Sequence, residues 1–322
     1  MSPKGRPEGE CRSAKHEGSS ASPQARSYTP PMPTSPHPIA APVEPPDAAR
    51  LAERALFVRL ESVRLIGIAK VGHYASAFSA AEIFATLYYD TMRLRRGEPK
   101  WPDRDRFLMG KGHAAVGLFP ILADWGFFPK DLLDGYTRLG SPLGDHPDMR
   151  KVPGVDFSSG SIGHALSGGL GMALGARIQG RTFNVYVMLG DGEMQEGQVW
   201  EAAISAAHHG ARNLVAIVDR NGFQLDGRVD ETMGIEPLAA KWRAFNWEVH
   251  EVDGHDVAAL AGLLRAIRDD AARTAPVCII ARTVKGKGIS YMETEPGWHL
   301  GYLAPEDEAR AIAELKSRGG AA

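Results

Sequence analysis

A Gly-Asp-Gly sequence thirty residues ahead of an Asn-Gly pair is the feature that most restricts how this chain folds. The two elements are Gly190-Asp191-Gly192 and Asn221-Gly222. Each follows a short apolar run rich in β-branched or aromatic residues, 183–189 in the first case and 214–218 in the second. The segment between them has helical spacing, so the unit predicts a strand, a helix and a parallel strand. Because parallel strands end at the same edge of a sheet, the acid and the amide are expected to meet there.

This pair of side chains favours a hard, oxygen-preferring cation over zinc. Mg²⁺ is usually held by one or two carboxylates, with phosphate oxygens and water filling its other positions. Asp191, Asn221 and the backbone carbonyl of Phe223 would supply three oxygen ligands and leave room for a diphosphate. Ca²⁺ or Mn²⁺ fits the same set. Gly192 lets main-chain N–H groups approach a phosphate closely. The sequence therefore predicts a magnesium and diphosphate site.

Composition excludes several classes of function. The chain has 322 residues, 43% of them hydrophobic and 24% charged, with a net charge of −2. No strong field attracts nucleic acid or an anionic membrane. No run reaches the roughly 18 apolar residues of a membrane span. The two cysteines, Cys11 and Cys278, lie in dissimilar segments and are not expected to pair, which suits a reducing cytoplasm.

Residues 1–46 differ from the rest of the chain. They hold eleven of the 22 prolines and seven serines, with almost no large apolar residues. Such a segment cannot bury enough surface to offset its conformational entropy. We therefore predict a disordered Pro/Ser-rich tail at 1–46 and one α/β domain at 47–322.

Within the domain, helical and strand patterns alternate. Further strands are predicted at 247–252 and 277–283. Helices are predicted at 47–71, with Asp47 as its N-cap, and at 80–89, 114–125, 130–139, 164–179, 257–272 and 305–317. This alternation predicts a doubly wound parallel sheet with helices on both faces.

Six of the eleven histidines lie in glycine-containing loops, where binding residues concentrate. They are His73, His113, His146, His164, His255 and His299. The others are interpreted as ordinary surface, packed or tail residues: His16, His37, His208, His209 and His250. An imidazole has an unperturbed pKa of about 6.5, so it can give and take protons near neutrality.

Several motifs follow one another in a recognisable order. They are Gly72-His73, Gly110-Lys111-Gly112-His113, Gly144-Asp145-His146-Pro147-Asp148, Ser159-Gly160-Ser161-Ile162-Gly163-His164, the Gly-Asp-Gly motif, Asp253-Gly254-His255-Asp256 and Trp298-His299. In this order they resemble transketolase, a thiamine-diphosphate enzyme. Over residues 50–315 the chain resembles the N-terminal, diphosphate-binding subunit of a split transketolase.

The resemblance implies roles for individual residues. It implies that thiamine diphosphate contacts His113, Gly160, Ser161, Ile162, Gly192, Asn221 and His299. It implies that the substrate contacts His73, His146 and His299 and that protons pass through His73 and His299. It implies ketol transfer, in which a two-carbon unit moves from a ketose to an aldose. The sugars themselves are not specified.

The resemblance also implies a partner. Members of the family carry an essential glutamate in a second, pyrimidine-binding domain, and no second α/β unit follows the helix predicted at 305–317. We therefore expect the subunit to be inactive alone and to form an α2β2 heterotetramer with a C-terminal transketolase subunit. Two alternatives remain open at this point: the α subunit of a thiamine-dependent 2-oxo-acid dehydrogenase and a non-catalytic paralogue.

Five further residues or segments stand outside these assigned roles. The roles of His164 and Glu196 stay open. Lys285-Gly286-Lys287-Gly288 is interpreted as a surface turn or a lid. The turn at 253–256 is interpreted as structural, capping the next helix. Residues 74–77, which follow His73, are expected to narrow the pocket.

Overall fold

Five parallel strands form the central sheet. The computed structural model describes residues 47–319 except residues 226 and 294, so the tail predicted at 1–46 lies outside the described residues. The five strands of this sheet are β1 (Arg106–Met109), β2 (Val185–Gly190), β3 (Leu214–Arg220), β6 (Glu248–Asp253) and β7 (Val277–Arg282). Two further strands of two residues each lie outside it, β4 (Phe223–Gln224) and β5 (Gly227–Arg228). The order in the sheet is β1-β2-β3-β7-β6, and β4 and β5 form a small antiparallel hairpin.

Helices cover this sheet. They are α1 (Ala48–Ala69), α2 (Tyr74–Ser79), α3 (Ala81–Thr86), α4 (Ala115–Asp124), α5 (Ala165–Ile178), α6 (Gly197–His208), α7 (Val229–Thr232), α8 (Leu238–Ala244), α9 (Val257–Asp269) and α10 (Pro305–Gly319). Asp47 caps α1 as predicted, since its side chain accepts a hydrogen bond from the backbone N–H of Arg50. Within the described residues, no helix is both long and apolar enough to cross a lipid bilayer.

Side chains along the inner strands alternate between two cores. On β2, Tyr186 and Met188 belong to the core shared with α1–α4, α9 and α10. Val185, Val187 and Leu189 belong to the core shared with α5, α6 and α8. Both faces are buried, which explains why β2 reads as a continuous apolar run. The predicted α/β fold with helices on both faces is confirmed.

Three local predictions were incomplete or wrong. β1 was missed because it has four residues, begins with an arginine and gains its strand form by pairing with β2 at the sheet edge. The helix predicted at 130–139 is only a 3-10 turn, Lys130–Gly135. Tyr136 has a ψ of 126°, which ends helical geometry, and Thr137 follows with a φ of 57°. Of residues 74–77, Ser76 lines the cavity, whereas Tyr74 points into the core, where its hydroxyl accepts a hydrogen bond from Leu303 N.

A buried ion pair joins α1 to α3. The Arg59 guanidinium donates to Glu82 Oε2 at 2.7 Å and to the Phe78 carbonyl at 2.8 Å. His255, on the turn after β6, lies 2.9 Å from the same carboxylate oxygen. Burial acts to raise the pKa of Glu82, but Arg59 and His255 outweigh it and lower that pKa to about 2.

Glu82→Gln is expected to destabilise the fold by about 3–5 kcal/mol at pH 7, because it leaves Arg59 buried without its anion. The folded-state pKa of Glu82 is depressed from 4.5, so its stabilisation is present above pH 4.5 and is lost as the pH falls towards 2. Urea unfolding at several pH values measures both effects. In Glu82→Gln, the free energy of unfolding should lack the fall below pH 4.5 that protonation of Glu82 causes in the wild-type protein.

Glu61→Gln is the matched control. Glu61 pairs with Arg64 on the surface of α1, three residues away, and its loss should cost no more than about 1 kcal/mol. Equal destabilisation by the two variants, or an unchanged acid slope in Glu82→Gln, would contradict the assignment.

Candidate active site

A cavity of about 390 Å³ opens where β2 and β3 end. Its lining combines glycine turns, four histidines and acidic and basic side chains. The lining residues are His73, Ser76, Lys111, His113, His146, Gly160, Ile162, Gly190, Asp191, Gly192, Glu193, Gln195, Glu196, Asn221, Phe223, Gln224, Leu225, Lys285 and His299.

The structure brings the ends of β2 and β3 together through Asp191. Its Oδ2 accepts a hydrogen bond of 2.6 Å from Gly222 N, and its Oδ1 accepts one of 2.9 Å from Gly192 N. Asn221 Oδ1 accepts from Phe223 N at 3.0 Å, which shapes the turn after β3. The carboxylate and the amide that the sequence pattern placed at one sheet edge therefore share one wall of the cavity.

The chemistry of these donors fits a magnesium ion. Asp191 is 1% exposed, and burial raises the pKa of its carboxyl to about 6, against the opposing effect of the Gly222 hydrogen bond. A cation beside it would favour the ionised form. Each oxygen accepts a backbone N–H bond, and an ionised carboxylate has about four acceptor sites. Among the described residues, no three His, Cys, Asp or Glu side chains form a metal cage, so water, backbone and phosphate oxygens would complete the shell.

Glu193 lines the cavity and joins two of its glycine turns. Its Oε1 accepts from Gly163 N at 2.7 Å and its Oε2 from Gly190 N at 3.0 Å. A Cβ on Gly110 would overlap with Glu193 Oε1, so a larger residue there would displace this carboxylate. Burial raises the pKa of Glu193 to about 7, although both amide hydrogen bonds act to lower it. This carboxyl thus fixes the relative positions of the loops that carry Gly160, Ile162 and Asp191.

Three histidines from distant segments meet in the cavity. The ring centroids of His73 and His113 are 5.1 Å apart, and His299 lies 5.2 Å from each of them. His146 is farther out, 6.3 Å from His73. The cluster presents several exchangeable ring protons within one small volume.

Asp145 orients His73. Its Oδ1 lies 3.3 Å from His73 Nδ1 and accepts a hydrogen bond of 2.9 Å from the buried Tyr136 hydroxyl. Burial acts to raise the pKa of Asp145, but the hydrogen bonds from His73 and Tyr136 hold it below its usual range. An ionised Asp145 favours the His73 tautomer that carries a proton on Nδ1, which leaves Nε2 as the acceptor.

His113 is held neutral. Burial, followed by the charge of Lys111, keeps the pKa of His113 well below its usual range. Its Nε2 lies 2.9 Å from the Ser76 hydroxyl on α2. A neutral imidazole can donate one hydrogen bond to an anion without the cost of burying a second positive charge.

The positive charge of Lys111 is balanced by the carboxylate of Asp219 near the end of β3. The two form a buried ion pair, and Ser79 also donates to Asp219 Oδ2 at 2.6 Å. Thr283 donates to the other oxygen of Asp219. This network ties the Gly110–His113 turn to the sheet.

All of the predicted site residues except Ser161 line the cavity. Those that do are His73, His113, His146, Gly160, Ile162, Asp191, Gly192, Asn221, Phe223 and His299. Ser161 is exposed. Glu196 also lines the cavity, whereas His164 is exposed and its Nδ1 lies 3.1 Å from the Ile162 carbonyl. His208 and His209 are exposed at the end of α6, away from the cavity.

Lys285 corrects one prediction. Its segment was interpreted as a surface turn or lid, yet Lys285 is 2% exposed and lines the cavity. Its Nζ donates to the Leu225 carbonyl at 2.6 Å and lies 5.5 Å from the centre of the Phe223 ring. A lysine can bury its stem and direct its ammonium to a polar site. The glycines that follow Lys285, at 286 and 288, favour a solvated turn, so the sequence does not reveal this burial.

Residues 52–320 match the family model described as transketolase, thiamine diphosphate binding domain. The chain belongs to the transketolase family. It corresponds to the N-terminal, thiamine-diphosphate-binding part of transketolase, and the predicted family resemblance is confirmed. This match disfavours the 2-oxo-acid dehydrogenase alternative.

Curated relatives include transketolases whose two halves are separate chains. The chain is 38% identical to the 6-deoxy-6-sulfo-D-fructose transketolase subunit of Clostridium sp. strain MSTE9, over 84% of this chain and 97% of that protein. It is 37% identical to an apulose-4-phosphate transketolase subunit of Phocaeicola vulgatus, over 81% of this chain and 92% of that protein. These relatives have nearly the same extent as the matched region.

Solved transketolases share the fold. The enzyme from Campylobacter jejuni matches with a TM-score of 0.77 and 26% identity, over 84% of this chain and 42% of that chain. The Pichia stipitis transketolase complex with sedoheptulose 7-phosphate matches with a TM-score of 0.76 and 26% identity, over 84% of this chain and 41% of that chain. The chain thus spans about two fifths of these longer transketolases.

Four charged residues in or beside the transketolase cavity were not among the predicted site residues. Three of them line the cavity, Lys111, Glu193 and Lys285, and the fourth, Asp145, contacts His73. Three of them stand inside or next to motifs that the sequence does reveal, and an ionisable residue beside a glycine turn was the available signal. Their partners come from other segments, which the sequence pattern alone does not identify.

Proposed function

We propose that this chain is the diphosphate- and metal-binding subunit of a two-subunit transketolase, which transfers a two-carbon ketol unit from a ketose to an aldose. The observation that carries this proposal is the single cavity in which Asp191 and Asn221 lie beside His73, His113 and His299. Its donor chemistry suits a cation and a diphosphate, and its histidines suit proton transfer.

Asp191, Asn221 and the Phe223 carbonyl hold the magnesium ion in this proposal. Gly160, Ile162 and Gly192 let main-chain groups approach the cofactor, and neutral His113 donates to its diphosphate. Thiamine diphosphate, when bound, supplies the nucleophilic carbon and accepts the electrons released when the ketose carbon–carbon bond breaks. Glu193 holds the two glycine turns at the spacing that this binding requires.

The remaining histidines act on the sugar. His73 is oriented by Asp145 and accepts a proton from a substrate hydroxyl through Nε2. His299 lies equally close to His73 and His113, where it can pass a proton to or from the sugar. His146 has a side chain that is 42% exposed, so it contacts the substrate at the cavity mouth.

A C-terminal, pyrimidine-binding subunit completes the site in this proposal. The relatives named as subunits support a divided enzyme, and two copies of each chain related by two-fold symmetry give an α2β2 heterotetramer. The substrates are small sugars or sugar phosphates of cytoplasmic carbohydrate metabolism, such as those of the pentose phosphate reactions.

Co-production with a candidate C-terminal subunit tests the proposal. We expect neither chain to be active alone and the mixture to transfer a ketol unit in the presence of thiamine diphosphate and Mg²⁺. Light scattering on the purified complex should give two copies of each chain. Release of CO₂ from a 2-oxo acid, or lack of cofactor binding by the assembled complex, would contradict it.

A further inference from the structure

The turn between β6 and α9 packs directly against the end of β7. Gly254 N donates to the Arg282 carbonyl at 2.8 Å. A Cβ on Gly254 would lie 2.5 Å from Thr283 Cγ2, so the close approach requires glycine. The turn therefore holds the backbone that leads from β7 into the cavity wall.

His255, on this turn, has one defined tautomer. Its Nε2 accepts a hydrogen bond of 2.8 Å from the backbone N–H of Val284, so this nitrogen carries no proton. Its Nδ1 lies 2.9 Å from Glu82 Oε2 and donates to that carboxylate. Glu82 is fixed in turn by Arg59. The imidazole is thus neutral and cannot rotate without losing both partners.

Val284 connects His255 to the cavity. The next residue is Lys285, whose ammonium donates to the Leu225 carbonyl at 2.6 Å and lies over the Phe223 ring. Both partners of Lys285 belong to the segment that follows Asn221. A displacement of the Val284 backbone would therefore move the lysine that supports the proposed metal-binding loop.

We propose that His255 is a positioning residue for the cofactor site: it holds Val284 through Nε2 and thereby places Lys285 against the Phe223–Leu225 loop. The sequence pattern indicated only a capping turn here. The inference rests on the proposed function to the extent that this loop supplies the Phe223 carbonyl. His255 does not line the cavity, so it acts through the backbone.

Two substitutions separate the two hydrogen bonds of His255. Gln places an amide oxygen near the position of Nε2, so His255→Gln keeps an acceptor for Val284 and gives up the bond to Glu82. Asn places its amide near the position of Nδ1, so His255→Asn keeps a donor for Glu82 and leaves Val284 N–H without a partner. The two variants are neutral and similar in size.

Amide hydrogen exchange at Val284, measured without cofactor, tests the hydrogen bond between Val284 N and His255 Nε2 directly. We expect wild-type protein and His255→Gln to protect this amide similarly, and exchange to be at least about tenfold faster in His255→Asn. Calorimetry of the two-subunit complex with thiamine diphosphate and Mg²⁺ measures the effect of this contact on cofactor affinity. Affinity should fall about tenfold in His255→Asn and stay within about twofold in His255→Gln.

Lys285→Met tests the last link. It should weaken cofactor binding as His255→Asn does, while leaving Val284 protected. Equal behaviour of the Gln and Asn variants, or loss in Gln with retention in Asn, would overturn the inference. Failure of the wild-type complex to bind thiamine diphosphate would instead overturn the proposed function, and the cofactor-free exchange pattern would still decide whether His255 holds Val284.

Discussion

Asp191→Ala is expected to abolish measurable binding of thiamine diphosphate in the presence of magnesium while leaving the domain folded. Asp191 is the buried carboxylate that faces the proposed metal position. Losing an outer-shell partner of a metal ligand typically costs about 10- to 100-fold in affinity, so losing the ligand itself should cost more than about 100-fold. Calorimetry on the two-subunit complex at fixed Mg²⁺ measures this loss.

The fold should survive because two effects oppose each other. The substitution leaves the amides of the half-buried Gly192 and Gly222 without their acceptor, which costs at most about 1–3 kcal/mol for each. It also removes a carboxyl whose raised pKa shows that burial disfavours its charged form. Removal of this carboxyl therefore stabilises the fold and offsets part of the cost.

Asp131→Ala, at an exposed acid on the Lys130–Gly135 turn, controls for the loss of one negative charge and should change neither affinity nor melting temperature. Unchanged cofactor affinity in Asp191→Ala would place the metal elsewhere.

The strand-end residues were predictable because their positions follow from local rules. A buried parallel strand reads as an apolar run, and its last residue lies at the edge where ligands bind. Asp191 and Asn221 each follow such a run, so their meeting required no knowledge of the rest of the fold. The hydrogen bond from Gly222 N to Asp191 Oδ2 joins the two strand ends that the sequence pattern predicts to be neighbours.

The histidine cluster required more than spacing. His73, His113 and His299 come from three separate loops, and no periodicity in the chain relates them. Their convergence was expected only from the order of motifs shared with transketolase. The structure places their rings within 5.1–5.2 Å of one another. Their chemical roles stay predictions until the variants are measured.

Burial of the unassigned charged residues could not be predicted. Lys285 begins a Lys-Gly-Lys-Gly segment, which is typical of a solvated turn, and its contact with Leu225, sixty residues away, reveals its place in the cavity. Glu193 is similar, since it depends on the Gly163 loop. Tertiary partners decide the environment of such residues, whereas local sequence decides only the turn that carries them.

His299→Ala is expected to lower kcat/KM by about 10²- to 10⁴-fold in the assembled enzyme, the usual contribution of a positioned acid or base. Its effect on cofactor affinity should be smaller, because Asp191, Asn221 and His113 remain. The ring of His299 lies 5.2 Å from the rings of both His73 and His113, so it adjoins both the proposed substrate contact and the proposed cofactor contact. Steady-state kinetics at saturating cofactor, with calorimetry in parallel, separates the two effects.

Two further variants define what the His299 result means. His146→Ala should act mainly through KM, because His146 lies at the cavity mouth, 6.3 Å from His73. His208→Ala, at the exposed end of α6, should change neither parameter. If turnover is unaltered in His299→Ala at saturating cofactor, proton transfer passes to His73, whose orientation by Asp145 already suits it for that role. Asp145→Asn would then lower turnover where His299→Ala does not, because the amide no longer favours the Nδ1–H tautomer of His73.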